Sequence, residues 1–164
     1  MLVDFHSLYQ RYAPDVHRFA LFLSGDPSLA EEITQETFVR AWVVPGEICG
    51  GTVKAYLLTI ARNLYRAERK QAARHAVLDA TLADPRPGPE AVAWGRMGLE
   101  TVLDAMQSLP EIDRAALLMH AQDGLPYATI AAALGLSIAA VKIRVHRARI
   151  KLRRMCDPND PTGG

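Results

Sequence analysis

Residues 126–149 constrain the fold of this chain more than any other segment, because their pattern predicts a helix, a tight turn and a second helix. Pro126 suits the start of the first helix, since its fixed φ fits there and its missing N–H would be unpaired anyway. Gly135 can adopt the left-handed conformation that ends a helix, and Ser137 can cap the next one. The segment therefore predicts a helix-turn-helix.

The second helix of this pair combines an apolar stripe with a strongly basic remainder. Its apolar residues recur at three- and four-residue steps, at Ile138, Val141, Val145, Ala148 and Leu152. Residues 137–156 contain seven Lys or Arg and no acid. A helix that packs on one side and is cationic on the others suits the major groove of DNA, with phosphates on its flanks.

The net charge of +1 conceals an alternation of acidic and basic blocks. Residues 1–53 carry three basic and seven acidic side chains, whereas residues 54–74 carry six and one. Residues 75–136 carry three and eight, before the basic block of residues 137–156. A single charged block is usually a solvated surface, but two cationic blocks on separate predicted helices favour contact with nucleic acid.

Composition predicts a cytoplasmic protein that is not an enzyme and uses no cofactor. No apolar run approaches the roughly 18 residues of a membrane span, so we expect no membrane insertion. The N-terminus lacks the basic start and cleavage site of a secretory signal. Cys49 and Cys156 indicate neither a disulfide framework nor a zinc site. The sequence contains no recognisable nucleophile–base pair, metal cluster or phosphate loop.

Hydrophobic periodicity predicts an all-α fold, because nothing alternates at the two-residue period of a half-buried strand. Gly25 and Asp26 mark a helix end and a helix start, and Ser108 and Glu111 have the spacing of a capping box. The predicted helices span residues 2–12, 14–24, 27–43, 52–74, 90–107, 109–122, 126–134 and 137–154.

A Pro-rich segment divides these helices into two small domains. Residues 82–89 contain three prolines and a glycine, which exclude a continuous helix and indicate an extended, flexible linker. We therefore predict an N-terminal helical domain, a linker, a C-terminal helix-turn-helix domain and a disordered tail, over residues 1–75, 76–97, 98–155 and 156–164.

Two helices of the predicted N-terminal domain carry polar surfaces of opposite charge. The helix over residues 27–43 has an acidic ridge, formed by Glu31, Glu32, Gln35, Glu36 and Arg40. This ridge is either a solvated surface or a docking face for a basic partner. The helix over residues 52–74 is expected to expose a polar and basic row: Lys54, Arg62, Asn63, Arg66, Arg69 and Lys70. Tyr56 on this helix either packs in the core or stacks on an unpaired base, a contact of about 1–3 kcal/mol.

Three stretches of this sequence resemble the bacterial extracytoplasmic-function sigma factors of the sigma-70 superfamily. Residues 30–42, with the sequence AEEITQETFVRAW, and residues 55–63, with the sequence AYLLTIARN, resemble region two of that family. Residues 135–149 resemble region four. The order of the motifs, their spacing and the linker agree with the family over nearly the whole chain.

The resemblance implies a sigma factor that binds core RNA polymerase and directs promoter-specific initiation of transcription, under the control of an anti-sigma factor. It assigns core binding to Glu31, Glu32, Gln35, Glu36 and Arg40, and leaves Phe38 and Trp42 to packing. It assigns recognition and melting of the minus-ten element to Lys54, Tyr56, Arg62, Asn63, Arg66, Arg69 and Lys70, with the loop over residues 45–52 as the candidate for capturing a flipped base.

Recognition of the minus-35 element is implied for the helix-turn-helix. The residues assigned to it are Tyr127, Thr129, Ser137, Ala139, Lys142, Ile143, Arg144, His146, Arg147 and Arg149. The family usually has hydroxyl or acidic residues where Ile138, Ala139 and Ala140 stand in this chain. Fewer polar donors imply more reliance on shape, apolar contact and phosphate anchoring.

Two other functions fit part of the sequence. A stand-alone helix-turn-helix regulator would use the same final pair of helices, but the N-terminal domain resembles neither a receiver nor a ligand pocket. An adaptor without promoter activity would use only the acidic ridge, which leaves both basic helices unexplained.

Overall fold

The computed structural model describes residues 5–43, 53–78 and 97–156. These residues form seven α-helices and one π-helical turn, in agreement with the predicted all-α fold. The loop over residues 45–52, the Pro-rich segment over residues 82–89 and the tail beyond residue 156 lie outside the described residues. The helices are α1 (Phe5–Ser24), α2 (Pro27–Val43), α3 (Val53–Leu78), α4 (Met97–Gln107), α5 (Glu111–Leu117), α6 (Tyr127–Leu134) and α7 (Ile138–Cys156), and the π turn is Leu118–Gln122.

The first three helices pack around one apolar core. Phe19 and Leu23 of α1, Phe38 of α2, and Leu57 and Leu58 of α3 are almost completely buried in it. Burial of such side chains stabilises the domain by about 1.5–3 kcal/mol for each one.

The predicted break between residues 12 and 14 is wrong, because α1 continues through Pro14. A proline inside a helix costs about 3 kcal/mol. Contacts on both sides of it offset this cost. Before Pro14, the rings of Phe5 and Tyr9 meet those of Trp42 and Phe38 of α2, with centroids 5.2 and 4.9 Å apart. After it, Val16, Phe19, Ala20 and Leu23 are buried.

The turn between α1 and α2 forms as the sequence predicts. Gly25 has φ of +69°, the left-handed conformation that ends α1. The Asp26 carboxylate accepts hydrogen bonds from the backbone N–H groups of Ser28 and Leu29, at 3.0 and 3.3 Å. These bonds satisfy donors that the first turn of α2 would otherwise leave unpaired.

The remaining helices extend this core without a break, around Met119, Ile130, Val141 and Val145, all of them buried. The predicted helix over residues 109–122 is divided into α5 and the π turn. At its C-terminal end, α7 includes Cys156, which the sequence had assigned to the tail.

The helix-turn-helix has the predicted local chemistry. Gly135 has φ of +68° and ends α6. The Ser137 Oγ accepts a hydrogen bond from the Ala140 N–H at 3.1 Å, and so caps α7. Pro126 lies directly before the first residue of α6.

The predicted capping box at α5 does not form. The Ser108 hydroxyl donates to the Ala105 carbonyl at 2.6 Å, instead of capping α5. The Glu111 carboxylate binds the guanidinium of Arg62 on α3, with N–O distances of 2.7 and 2.8 Å. A charged partner gives stronger hydrogen bonds than a backbone N–H, which accounts for the difference.

The two groups of helices pack against each other. Helix α1 contacts α4, α5 and the π turn, and α3 contacts α6. Among the described residues, no single helix is long and apolar enough to cross a membrane, and only α6 and α7 taken together, across a 99° bend, meet the criteria of length and composition.

Candidate functional site

The acidic ridge of α2 is exposed along its whole length. Its five residues all lie on the solvent side: Glu31, Glu32, Gln35, Glu36 and Arg40. The opposite side of the helix is buried, and there the hydroxyls of Thr34 and Thr37 donate to backbone carbonyls one turn earlier, each at 2.6 Å. The ridge therefore makes no contribution to the core, and its side chains are available to a partner.

The ridge continues into an apolar patch at the end of α2. Phe38 is buried, as predicted, whereas Trp42 is 56% exposed although one edge of its ring meets Phe5. Val39 and Val43, at 51% and 70% exposure, lie beside it. The family resemblance left Trp42 to packing, and this prediction is wrong for most of the indole, which lies in solvent. We call Val39, Trp42 and Val43 the apolar patch.

Most of the polar row of α3 lies in solvent. Asn63, Arg66, Arg69 and Lys70 are exposed, and Lys54 and Tyr56 are half-buried. A cleft of about 400 Å³ lies between α2 and α3 and is lined by Arg40, Tyr56, Ile60 and Asn63. Arg40, Tyr56 and Asn63 are among the predicted site residues.

The predicted exposure of Arg62 is wrong, because its side chain is only 9% exposed in its ion pair with Glu111. Lys54 also lies near carboxylates, with its Nζ 3.6 Å from an oxygen of Asp15. Two cations assigned to DNA are thus held by acidic side chains of the same chain.

Most of the predicted minus-35 residues of α7 lie on its exposed side, but the prediction that Ile138 packs in the apolar stripe is wrong, because this first residue of the helix is 46% exposed. The exposed predicted residues are Ala139, Lys142, Ile143, His146, Arg147 and Arg149. The buried side consists of Val141, Val145 and Ala148. This side therefore presents four cations or polar groups around Ile143, which is 53% exposed, and Ile138 and Met155 are further exposed apolar side chains of the helix.

The other residues of the predicted minus-35 set are engaged within the domain. Tyr127 stacks on His120 with ring centroids 4.4 Å apart, and its Oη lies 3.2 Å from Nε2 of that histidine. Thr129 is half-buried. The Arg144 guanidinium donates to Asp113 of α5 at 2.7 Å, which joins α7 to α5. The side chain of Arg144 is 34% exposed, whereas that of Asp113 is only 7% exposed.

Sequence reasoning missed two buried polar residues, Arg114 and Asp123, which lie at or near the interface between the two groups of helices. The guanidinium of Arg114 on α5 donates to the Leu23 carbonyl of α1, to Tyr65 Oη of α3 at 3.3 Å and to Gln107 Oε1 at 2.9 Å. Asp123 follows the π turn, and burial raises the pKa of its carboxyl to about 6, although the charges of Lys54 and Arg18 act to lower it. The available signal for Arg114 was its position directly before the apolar run of residues 115–119.

Comparisons with known proteins agree with the two-part organisation. Residues 8–75 match the family model of sigma-70 region 2, and residues 99–152 match that of sigma-70, region 4. The ECF RNA polymerase sigma factor SigL of Mycobacterium tuberculosis is 35% identical over 152 residues, which cover 90% of this chain and 85% of SigL. SigM of Bacillus subtilis is 29% identical over 157 residues, which cover 94% and 95%.

Solved structures of similar fold include two chains that were determined in complexes with partner proteins. The sigma factor RpoE, in complex with the anti-sigma factor NepR from Bartonella quintana, has a TM-score of 0.81 and 26% identity, over 97% of this chain and 100% of RpoE. CnrH, in complex with the cytosolic domain of CnrY, has a TM-score of 0.71 and 25% identity, over 95% and 89%. The chain therefore belongs to the sigma-70 family, and within it to the extracytoplasmic-function sigma factors.

Proposed function

We propose that this sigma factor binds core RNA polymerase through the ridge of α2 and directs it to promoters that α3 and α7 recognise. The observation that carries the proposal is the ridge itself, Glu31 to Arg40, which lies in solvent although its helix is anchored by a buried opposite side. A row of carboxylates that contributes nothing to the fold is suited to a basic partner surface. The apolar patch adds a part of the contact that charge alone does not supply.

The minus-ten element is proposed to bind along α3. Its exposed Arg66, Arg69 and Lys70 supply cations for phosphates, and the cleft beside Tyr56 and Asn63 offers an aromatic ring and an amide to an unstacked base. Melting DNA requires no bond chemistry, since a cationic track and a pocket that favours the flipped base lower the free energy of the open strand.

The minus-35 element is proposed to bind along the outward side of α7. Arg147 is the candidate for a guanine edge or a phosphate, and Ala139 and Ile143 are the candidates for thymine methyl groups. Ser137, Tyr127 and Thr129 lie at the start of α7 and on α6, where backbone phosphates would pass.

An anti-sigma factor is proposed to control this chain in the cytoplasm. The support is the likeness to RpoE and CnrH, both of them solved in complexes with partners, NepR and the cytosolic domain of CnrY. If the chain is produced from an inducible promoter in its own host, reporter activity should remain low until a signal is applied. Full activity of the uninhibited chain under every growth condition would contradict this part of the proposal.

Transcription in vitro tests the promoter assignment. Holoenzyme reconstituted from core polymerase and this chain is incubated with a pool of genomic DNA fragments, and the 5′ ends of the transcripts are sequenced. We expect start sites that share a common minus-35 and minus-ten sequence. Arg147→Ala should reduce these transcripts, whereas the control Arg154→Ala, at an exposed site in the last turn of α7, should preserve them. Random start sites would contradict the proposal.

The stand-alone regulator is the second candidate, and the match of residues 8–75 to sigma-70 region 2 argues against it. The two candidates differ in their requirement for polymerase. A regulator should bind its duplex site alone and usually as a dimer, whereas a sigma factor should need the core enzyme.

A further inference from the structure

The two groups of helices are joined by directed polar bonds. Arg62 of α3 binds Glu111 of α5 through two N–H groups. Gln107 at the end of α4 donates to the Phe22 carbonyl at 3.1 Å, and Arg114 donates to the Leu23 carbonyl and to Tyr65. Since bonds of this kind require a fixed geometry, they define one closed arrangement of the two domains.

The ion pair with Glu111 uses the same N–H groups of Arg62 that would bind a phosphate. Nε and Nη2 of Arg62 each donate to a different oxygen of the carboxylate, at 2.7 and 2.8 Å. Arginine binds carboxylate and phosphate with the same planar, bidentate geometry. Only 9% of the Arg62 side chain is exposed, whereas Asn63 and Arg66 on the same helix lie in solvent.

We propose that the C-terminal domain masks Arg62 in the free chain, with the Glu111 carboxylate occupying the position that a promoter phosphate takes once the domains separate. The closed arrangement is then an autoinhibitory state. Because Glu111 is tethered to the same chain, its effective concentration at Arg62 is high, on the order of millimolar, and weak DNA contacts do not displace it. This inference rests on the proposed role of α3 in binding the minus-ten element.

The masking is tested first by chemical modification of arginines in the full chain. Phenylglyoxal labels accessible guanidinium groups, and peptide mass spectrometry reports the rate at each site. Arg66 is the internal reference, because it lies four residues along the same helix in solvent. We expect Arg62 to react much more slowly than Arg66 in the parent, and we expect Arg62 to react several times faster in Glu111→Gln than in the parent.

A matched control removes one negative charge elsewhere in the same domain. Asp104→Asn changes an exposed carboxylate of α4 and should leave the Arg62 rate as it is in the parent. The affinity for a fluorescent 12-nucleotide single strand of mixed sequence, measured by anisotropy, should increase about fivefold in Glu111→Gln, the contribution of one added charge-assisted contact. It should not change in Asp104→Asn.

A charge exchange keeps the test decisive if Glu111→Gln folds poorly. Arg62→Glu combined with Glu111→Arg should have the same compact radius of gyration as the parent in small-angle X-ray scattering. Its DNA affinity should not exceed that of the parent. Equal modification rates at Arg62 and Arg66 in the parent would overturn the masking proposal, as would an unchanged Arg62 rate in folded Glu111→Gln. Core polymerase binding is measured separately, so that failure of the mask and failure of the sigma-factor assignment give different results.

Discussion

Replacement of Arg114 by methionine should destabilise the closed chain, because this side chain joins both groups of helices. Arg114 is 5% exposed. Its guanidinium donates across the interface to the Leu23 carbonyl and Tyr65 Oη, and within its own domain to Gln107 and to the Leu109 carbonyl at 3.2 Å. Methionine has a comparable length and no donors, so Arg114→Met leaves these acceptors buried without this partner.

The expected magnitude follows from two opposing contributions. Each buried acceptor that loses its donor costs about 1–3 kcal/mol, and two of the acceptors belong to the other domain. Removal of a buried guanidinium returns several kcal/mol of desolvation free energy. We therefore expect a net loss of about 2–4 kcal/mol in the free energy of unfolding.

Urea denaturation followed by circular dichroism at 222 nm measures this difference. The control Arg154→Met makes the same substitution at an exposed position of α7 and should change the free energy of unfolding by less than about 0.5 kcal/mol. If Arg114→Met proves as stable as Arg154→Met, the buried hydrogen bonds of Arg114 do not hold the domains together, and the reasoning is refuted.

Three further predictions concern the proposed binding surfaces and the buried acid. Glu36→Lys should weaken core polymerase binding about tenfold in a competition titration. It should spare the fold, because the ion pair of Glu36 with Arg40 is exposed and worth less than about 1 kcal/mol. Unchanged affinity would exclude the ridge as the polymerase-binding surface. Arg147→Ala should cost about 1–3 kcal/mol in minus-35 binding by the holoenzyme, measured by footprinting, and equal footprints would remove Arg147 from the site. Because the folded pKa of Asp123 is about 6 and its ordinary value is 3.8, the stability difference between parent and Asp123→Asn should shift in favour of the parent as the pH falls from 7 to 4, by at most about 3 kcal/mol. A difference independent of pH in urea titrations would show that Asp123 does not titrate in this way.

Local signals in the sequence were sufficient to predict much of the helical framework. The left-handed Gly135, the Ser137 cap and the Asp26 cap all form as expected, since each depends on residues within one turn. The ridge of α2 and the outward side of α7 follow from a 3.6-residue period that packing does not override.

Contacts between residues distant in the chain could not be predicted in the same way. Arg62 was expected in solvent with the rest of the polar row of α3, but its partner Glu111 lies 49 residues away. The same bond diverts Glu111 from the predicted capping box. A break was expected between residues 12 and 14, and only packing on both sides of Pro14 offsets the cost of keeping it inside α1. The roles of individual residues toward polymerase and DNA remain predictions.

The central claim is tested most directly by titration of fluorescent full-length chain into purified bacterial core RNA polymerase, with a housekeeping sigma factor as competitor. The account predicts tight one-to-one binding that the housekeeping factor displaces and that Glu36→Lys weakens. Absence of binding by a folded, inhibitor-free chain would contradict the account and favour a stand-alone DNA-binding regulator.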